Sequence, residues 1–416
     1  MTKPHALLIV ENSPVPLDRR VWNEARQLER NGFRVTIISP KNAKVGATKS
    51  RETLEGVDII RFPMPFGGPA KTDFIAEYSW ALVACYFHAL RLFAKDKFEI
   101  VHVANPPDIF FGLKWLLGPL GVKFIFDQHD LSPETYQSKF DEERRDLVAR
   151  VLGWMEKRSY NAADAVIVTN ESYRERAVGR GRQADDSVFT VRNSPDTELF
   201  HPRPAKPELK GDFESLVVFV GNMGHQDGVH VLLEAASHVR KDMGRDDIGF
   251  VIMGTGDSWD SLQQLHKDLD LGEGVRFLGY VSDEVMLDYL ASADVGAAPD
   301  LDSPLNAIST MIKTMDYMAM GLPLVSFDLK ESKVSAGDAA LYARDHSAQA
   351  FGDAIIELID DPEARRQMSE IGQARIAGPL SSNHSAANLL AAYEYSLGYG
   401  MAVEAGASTH SLEGLS

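Results

Sequence analysis

Ser309-Thr-Met-Ile-Lys-Thr-Met-Asp-Tyr-Met-Ala-Met-Gly-Leu-Pro-Leu-Val-Ser326 reads as a short helix running straight into an apolar strand. Ser309 and Thr310 open it with hydroxyls that can satisfy first-turn N–H groups. Gly321 and Pro323 stop it, since glycine takes a left-handed cap and proline cannot continue a helix. Met311, Met315, Met318 and Ala319 keep helical spacing, which predicts one buried face. Lys313 and Asp316, three residues apart, share a neighbouring face. Such a helix start could hold a phosphate with a ribose beyond it, or the two charges could be a solvated pair. The stretch alone leaves both readings open.

Around it the pattern is strand, helix, strand. Leu216–Val220, Gly249–Met253, Val275–Leu278, Val295–Ala298 and Leu324–Phe327 read as buried strands. Helical periodicity separates them at His230–Lys241, Trp259–Asp270 and Asp283–Ala291, and continues at Ala348–Asp360 and Pro362–Ala377. The first half repeats the alternation with strands at His5–Glu11, Phe33–Ser39, Asp58–Phe62, Glu99–Ala104, Val122–Asp127, Ala165–Thr169 and Val188–Arg192. Alternating strands and helices mean βαβ units, parallel sheets and right-handed crossovers. The fold class is therefore α/β, with two doubly wound Rossmann-like domains.

Residues 1–200 form the first domain in this reading, 201–212 a Pro-rich charged linker, and 213–383 the second domain. Residues 384–400 are a helix long enough to cross back onto the first domain. Residues 401–416 are small and polar, an expected disordered tail. Ligands of open α/β sheets sit at the carboxyl ends of the strands, so a cleft between the domains is the expected site.

Composition narrows the function. A chain of 416 residues suits two domains, and a net charge of −17 argues against a nucleic-acid backbone as main partner. One cysteine, Cys85, excludes an internal disulfide and fits a reducing compartment. The N-terminus has no signal-peptide apolar region, so a cytoplasmic protein is expected. Glu77, His88 and Arg91 interrupt the apolar segment Phe74–Phe93, which reads as a core or interfacial helix rather than a membrane span. No G-x-G-x-x-G follows the first strand of either half, which counts against a dinucleotide oxidoreductase, and P-loop and H-E-x-x-H motifs are absent.

Three loops could carry chemistry. Asp127-Gln-His-Asp130 ends a strand, so His129 and Asp130 can meet a ligand or serve as a loop histidine and a helix cap. Asp18-Arg19-Arg20 opens the first helix, where either arginine could pair with a phosphate. Gly221-Asn-Met-Gly-His-Gln-Asp-Gly228 follows a strand, and its glycines permit close backbone approach. No second histidine stands at metal-ligand spacing, so no metal site is expected. Asp300-Leu-Asp302 has the D-x-D form without supporting carboxylates and reads as coincidence.

Together these residues resemble the family-4 retaining glycosyltransferases of GT-B architecture, two facing Rossmann-like domains with a deep cleft. The resemblance spans nearly the whole chain to about residue 400. Asp316-Tyr-Met-Ala-Met-Gly-Leu-Pro-Leu-Val325 is similar to the family's E-A-M-A-x-G-x-P-V-V segment. Val191-Arg-Asn-Ser-Pro-Asp196, Gly254-Thr-Gly256 and Phe277-Leu-Gly-Tyr-Val281 support it. The set resembles most the bacterial branch that builds exopolysaccharide, capsule or O-antigen of lipopolysaccharide.

The resemblance implies a metal-independent hexosyl- or N-acetylhexosaminyltransferase without a cofactor, using a nucleotide diphosphate sugar donor, UDP-linked by preference. It implies a saccharide or polyprenyl-linked saccharide acceptor, with peripheral contact at the inner membrane face. It assigns Asp316 to the donor ribose, and Ser309, Thr310 and Met311 to the diphosphate through backbone N–H groups. Lys313 would neutralise the leaving diphosphate. Gly279, Tyr280 and Val281 would edge the base, with Gly224, Gly254 and Gly256 along the donor. His129 and Asp130 would lie at the reacting sugar, and Arg19 and Arg20 would border the acceptor.

Three departures stand out. Ile308 occupies the position of the family's first acid, with Ala307 and Asn306 beside it. Asp316 replaces a glutamate. Asn222 and Asp227 stand where an arginine and a lysine usually clamp the diphosphate. A sugar-nucleotide 2-epimerase of the same architecture, using Asp127, His129, Asp130 and Glu134 as acid–base groups, is the alternative enzyme reading. A degenerate glycosyltransferase that binds donor without turnover is the alternative outside catalysis.

Overall fold

The computed structural model describes residues 3–43, 46–65, 71–139 and 145–398. The chain divides into two compact units, residues 1–192 with 385–416, and residues 193–384. The tail expected at 401–416 lies outside the described residues.

The first unit holds β1 (His5–Ile9), α1 (Arg19–Arg30), β2 (Arg34–Pro40), β3 (Arg51–Leu54), β4 (Val57–Phe62) and α2 (Lys71–Lys95). It continues with β5 (Ile100–Ala104), α3 (Phe111–Leu117), β6 (Lys123–Gln128), α4 (Ser132–Lys139), α5 (Arg145–Ala162), β7 (Ala165–Val168), α6 (Glu171–Gly179) and β8 (Val188–Thr190). The sheet order is β3-β4-β2-β1-β5-β6-β7-β8, parallel except for β3. The chain reverses its direction of travel between β1 and β5, so the loops after these strands open a crevice. β3 was not expected: Arg-Glu-Thr-Leu lacks an apolar run because it is an edge strand, half exposed along its length.

The second unit holds β9 (Ser215–Val220), α7 (Val229–Ser237), β10 (Ile248–Met253), α8 (Trp259–Asp268), β11 (Val275–Gly279), α9 (Asp283–Ser292) and β12 (Val295–Ala298). Then come α10 (Ile312–Met320), β13 (Leu324–Ser326), α11 (Lys330–Ala336), β14 (Ala340–Tyr342), α12 (Ala348–Asp360) and α13 (Pro362–Ala377). Its sheet runs β11-β10-β9-β12-β13-β14, all parallel, with the reversal between β9 and β12. β14 escaped the sequence reading because three residues carry no period.

The last helix, α14 (Ser382–Leu397), belongs to the first unit. Leu389, Ala392 and Tyr393 join α1 residues Val21, Ala25 and Leu28 in one core against β1 and β2. The expected return of the chain to its first domain is thus present.

Two boundaries differ from expectation. Phe200 packs with Leu216 and Val218 in the second unit's core, so that unit begins before the Pro-rich segment. The segment is not a free linker either. Lys206 Nζ lies 2.6 Å from Asp288 and Lys210 Nζ 2.7 Å from Asp294, which fasten it to the second unit. The other correction concerns the start of α10, where Met311 takes the N-cap position in place of Ser309 or Thr310. Asn306–Ile308 form a separate 3-10 turn, and the Ser309 hydroxyl donates to the Leu305 carbonyl at 2.8 Å. Met311 is the N-cap, in extended conformation, without a side-chain capping bond.

Candidate active site

In the second unit the loops after β9 and β12 meet α10 at the sheet's reversal point. Lys313, on the first turn of α10, is buried and donates to Asp300 Oδ1 at 2.5 Å. Its ammonium lies 5.2 Å from the centre of the Phe219 ring. Asp300 follows β12, and its Oδ2 makes no hydrogen bond. A Cβ on Gly221 would stand 3.3 Å from Lys313 Cε, so the loop after β9 lies directly on the lysine stem. The pair that sequence spacing suggested, Lys313 with Asp316, is replaced by Lys313 with Asp300, which comes from a loop the sequence reading set aside. Asp316 is buried one turn further along α10.

The glycines assigned to the donor serve one another first. Gly254 N donates to the Gly279 carbonyl at 2.8 Å, and Met223 N to the Thr255 carbonyl at 3.0 Å. A side chain at Gly254 would fall 1.8 Å from the Gly221 carbonyl oxygen, so these loops close only with glycine there. Gly224, expected along the donor, donates its N–H to Asp227 Oδ2 at 2.9 Å. Asp227 therefore replaces the expected clamp by folding back onto its own loop; burial, ahead of its neighbours' charges, pushes its carboxyl upward. Tyr280 is the exposed exception, 72% accessible beyond β11, with Val281 half-buried beside it.

Asn306 does not stand in for the missing acid. Its amide donates to the carbonyls of Gln226 and Leu301, at 2.9 and 2.8 Å, and so ties the β9 and β12 loops together. Ser309 N–H is spent on the Asn306 carbonyl. The first turn of α10 lacks a side-chain cap, which keeps its positive dipole end available to an anion.

In the first unit Asp127 is fully buried at the end of β6. Arg20 grips it with two donors, Nη2 to Oδ1 at 2.8 Å and Nε to Oδ2 at 3.3 Å, while Nη1 donates to the Val191 carbonyl at 2.7 Å. Arg20 is thus a structural partner beneath the loop and not an acceptor-side group; Arg19 is the exposed one of the two. His129 Nε2 lies 2.5 Å from Asp127 Oδ2. Burial alone would raise Asp127, but Arg20, His129 and His102 outweigh it and hold the carboxyl well below its ordinary range. Glu24, buried 3.2 Å from Arg20, goes the other way, raised by burial and by the charge of Asp127.

Asn105, which the sequence reading passed over, fixes the loop that carries His129. Its Oδ1 accepts from His129 N at 2.6 Å and Asp130 N at 3.0 Å. Its Nδ2 donates to the Asp130 carbonyl at 2.7 Å and to Asp108 Oδ1 at 2.8 Å. Burial pushes Asp108 up to about 6. Asp130 is exposed at the loop tip. The available signal was Asn105-Pro-Pro-Asp108 at a strand's carboxyl end. Glu24, Asp127 and His129 lie close enough to share a cation. An ion there would face the Arg20 guanidinium already seated between the two carboxylates.

Residues 17–193 match the Glycosyl transferase 4-like domain family and residues 214–361 match the Glycosyl transferases group 1 family. Both are glycosyltransferase families, one matched across each unit. It is 24% identical over 375 residues to the D-inositol 3-phosphate glycosyltransferase of Corynebacterium aurimucosum, covering 84% of each chain. Among solved structures it is similar to sucrose-phosphate synthase from Thermosynechococcus elongatus, at TM-score 0.77 and 18% identity, over 96% of this chain and 100% of that one. It is also similar to Anabaena HepE in complex with UDP and glucose, at TM-score 0.68 and 12% identity, over 93% and 98%. These likenesses give both parallel-sheet domains the GT-B fold. They join the chain to glycosyltransferases and not to the 2-epimerases weighed above.

Proposed function

We propose that this glycosyltransferase moves a hexosyl or N-acetylhexosaminyl group, with retention, from a nucleotide diphosphate sugar to a saccharide acceptor in the assembly of a cell-surface polysaccharide. The observation that carries the reading is the uncapped start of α10 with Lys313 on its first turn, at the reversal point of the second sheet. A helix terminus and an ammonium together offset the charge of a leaving diphosphate, a large term when the site is preorganised. Asp316, one turn on, is assigned to the ribose, and Tyr280 to an edge of the base. A front-face displacement, in which the diphosphate helps take the acceptor proton, needs no protein nucleophile and no metal. A UDP-linked donor is preferred. HepE, solved with UDP and glucose, supports that choice.

Thermal shift with UDP-, GDP- and ADP-sugars tests the donor, because a ligand bound only to the native state stabilises it by mass action. One nucleotide class should raise Tm, and Asp316→Asn should weaken the response at least tenfold in concentration. Equal responses of wild type and variant would remove Asp316 from the ribose.

Peripheral membrane contact is part of the proposal. No described helix is long and apolar enough to cross a membrane. Yet α2, α3 and α5 together display Phe87, Trp115, Leu147 and Trp154 to solvent. The Phe111 ring contacts both tryptophans, at 4.9 and 5.9 Å, so they form one patch. Arg91 lies over Phe87 and Arg158 over Trp154, a basic rim on a chain of net charge −17. Aromatic residues with arginine suit an anionic lipid surface, where each cation adds about 1 kcal/mol. The protein should float with phosphatidylglycerol vesicles, much less with phosphatidylcholine, and Trp115→Ser with Trp154→Ser should abolish flotation. Undiminished flotation of that double variant would refute this surface.

A further inference from the structure

We propose that Tyr393, carried on α14, is a positioning residue for His129, acting through His102 and Asp127. The four side chains stand in series across three elements. The Tyr393 hydroxyl lies 2.8 Å from His102 Nδ1. His102 Nε2 lies 3.3 Å from Asp127 Oδ2 and 3.7 Å from Glu24 Oε2, outside hydrogen-bond geometry to both, so the Tyr393 hydroxyl holds the hydrogen bond of this ring. Asp127 Oδ2 then takes His129 Nε2 at 2.5 Å. Tyr393, His102 and Asp127 are all buried.

The charge on Asp127, together with the Tyr393 hydroxyl, sets the hydrogens in this line. An ionised Asp127 only accepts, so each ring nitrogen facing it carries a proton. His102 is therefore the Nε2–H tautomer, which leaves its Nδ1 to accept from the Tyr393 hydroxyl. Burial keeps that tyrosine a phenol and His102 neutral, so neither of these two changes its role near neutral pH. His129 likewise donates through Nε2, and its Nδ1 is the ring nitrogen left for a ligand. The remaining titratable groups at the cluster are Arg20 and Glu24 from α1. Arg20 supports the same arrangement by holding both Asp127 oxygens. Tyr393 thereby gives α14 a task besides covering the α1 side of the sheet.

The test is Tyr393→Phe, which removes one oxygen and leaves the ring in place against Phe33, 5.2 Å away. Long-range proton–nitrogen spectra of the full chain with labelled histidine read the tautomers of His102 and His129, assigned with His102→Gln and His129→Gln. Wild type should show Nε2–H at both. In Tyr393→Phe the His102 tautomers should mix and the His129 ring resonances should shift. Phe33→Leu, which loosens the ring contact but keeps the hydroxyl, should leave His129 unmoved. His129 resonances unchanged in Tyr393→Phe, or shifted equally by Phe33→Leu, would overturn the proposal.

The kinetic consequence rests on the glycosyl transfer proposed above, with UDP-glucose as the probe donor. There kcat should fall about fivefold at constant KM, the worth of one neutral hydrogen bond. A shifted tautomer with unchanged kcat supports the positioning line and removes His129 from the chemistry, which separates the two readings.

Discussion

Lys313→Met should destabilise the second domain by about 3–5 kcal/mol, and adding Asp300→Leu should restore most of that loss. The two side chains are 7% and 3% exposed, so the single variant leaves a buried carboxylate without its counter-charge. Breaking one partner of such a pair is far costlier than replacing both by apolar groups of similar size. Asp300 Oδ2 already lacks a hydrogen bond, which leaves the orphaned carboxylate little to fall back on. Denaturant melts of the two singles and the double give the coupling energy directly. The double variant then separates structure from function. If Lys313 binds the diphosphate, the refolded double variant should lose the thermal response to UDP. Full retention of that response would show that the lysine serves only packing.

Asp127→Asn should cost about a hundredfold or more in transfer rate while costing less stability than its burial suggests. Arg20 requires an oxygen on its side of residue 127, so the amide NH₂ turns toward His129 Nε2. That donor forces the His129 proton to Nδ1, the reverse of the native tautomer. Loss of a correctly set acid–base or hydrogen-bonding imidazole typically costs ~10²–10⁴-fold. Stability is cushioned because Glu24 stands 3.2 Å from Arg20, with its carboxyl raised by burial and by the charge of Asp127. Removal of that charge lowers the Glu24 carboxyl and strengthens its pairing with the guanidinium. Glu24→Gln with Asp127→Asn should therefore destabilise by much more than the two singles added together.

The pH dependence follows from the same pair. Asp127 is depressed, so its contribution is complete above the ordinary carboxylate pKa of ~4 and is lost as pH falls through its lower folded value. Glu24 is raised, so the folded chain keeps a proton that the unfolded chain releases, and stability falls as pH climbs above ~4.3. Asp127→Asn should flatten both limbs. A stability–pH curve with the wild-type shape in that variant would contradict the assignment.

Most of the architecture was legible without coordinates. Apolar runs such as Leu216–Val220 and Val295–Ala298 are continuous because a parallel sheet buries both faces, and helices α12 and α13 announced themselves by period and cap. The failures were local. Ser309 was read as a helix cap because hydroxyls favour that place, but the preceding 3-10 turn claimed it. Lys313 was paired with Asp316 because a helix brings such neighbours together, whereas Asp300 reaches the lysine from another strand's end.

The sequence by itself determined the alternation of elements, the two-domain division, the return of α14 and the likeness to glycosyltransferases. Those properties are written in periods, caps and contiguous motifs, which need no knowledge of distant neighbours. Only the tertiary structure decided which charges are spent. Arg20 and Asp127 are separated by 107 positions, and His102 and Tyr393 by 291. Their pairing depends on β1, β5 and β6 lying in register and on α14 folding back against them. Contacts of that kind come from the order of strands in a sheet, an order that no local pattern carries.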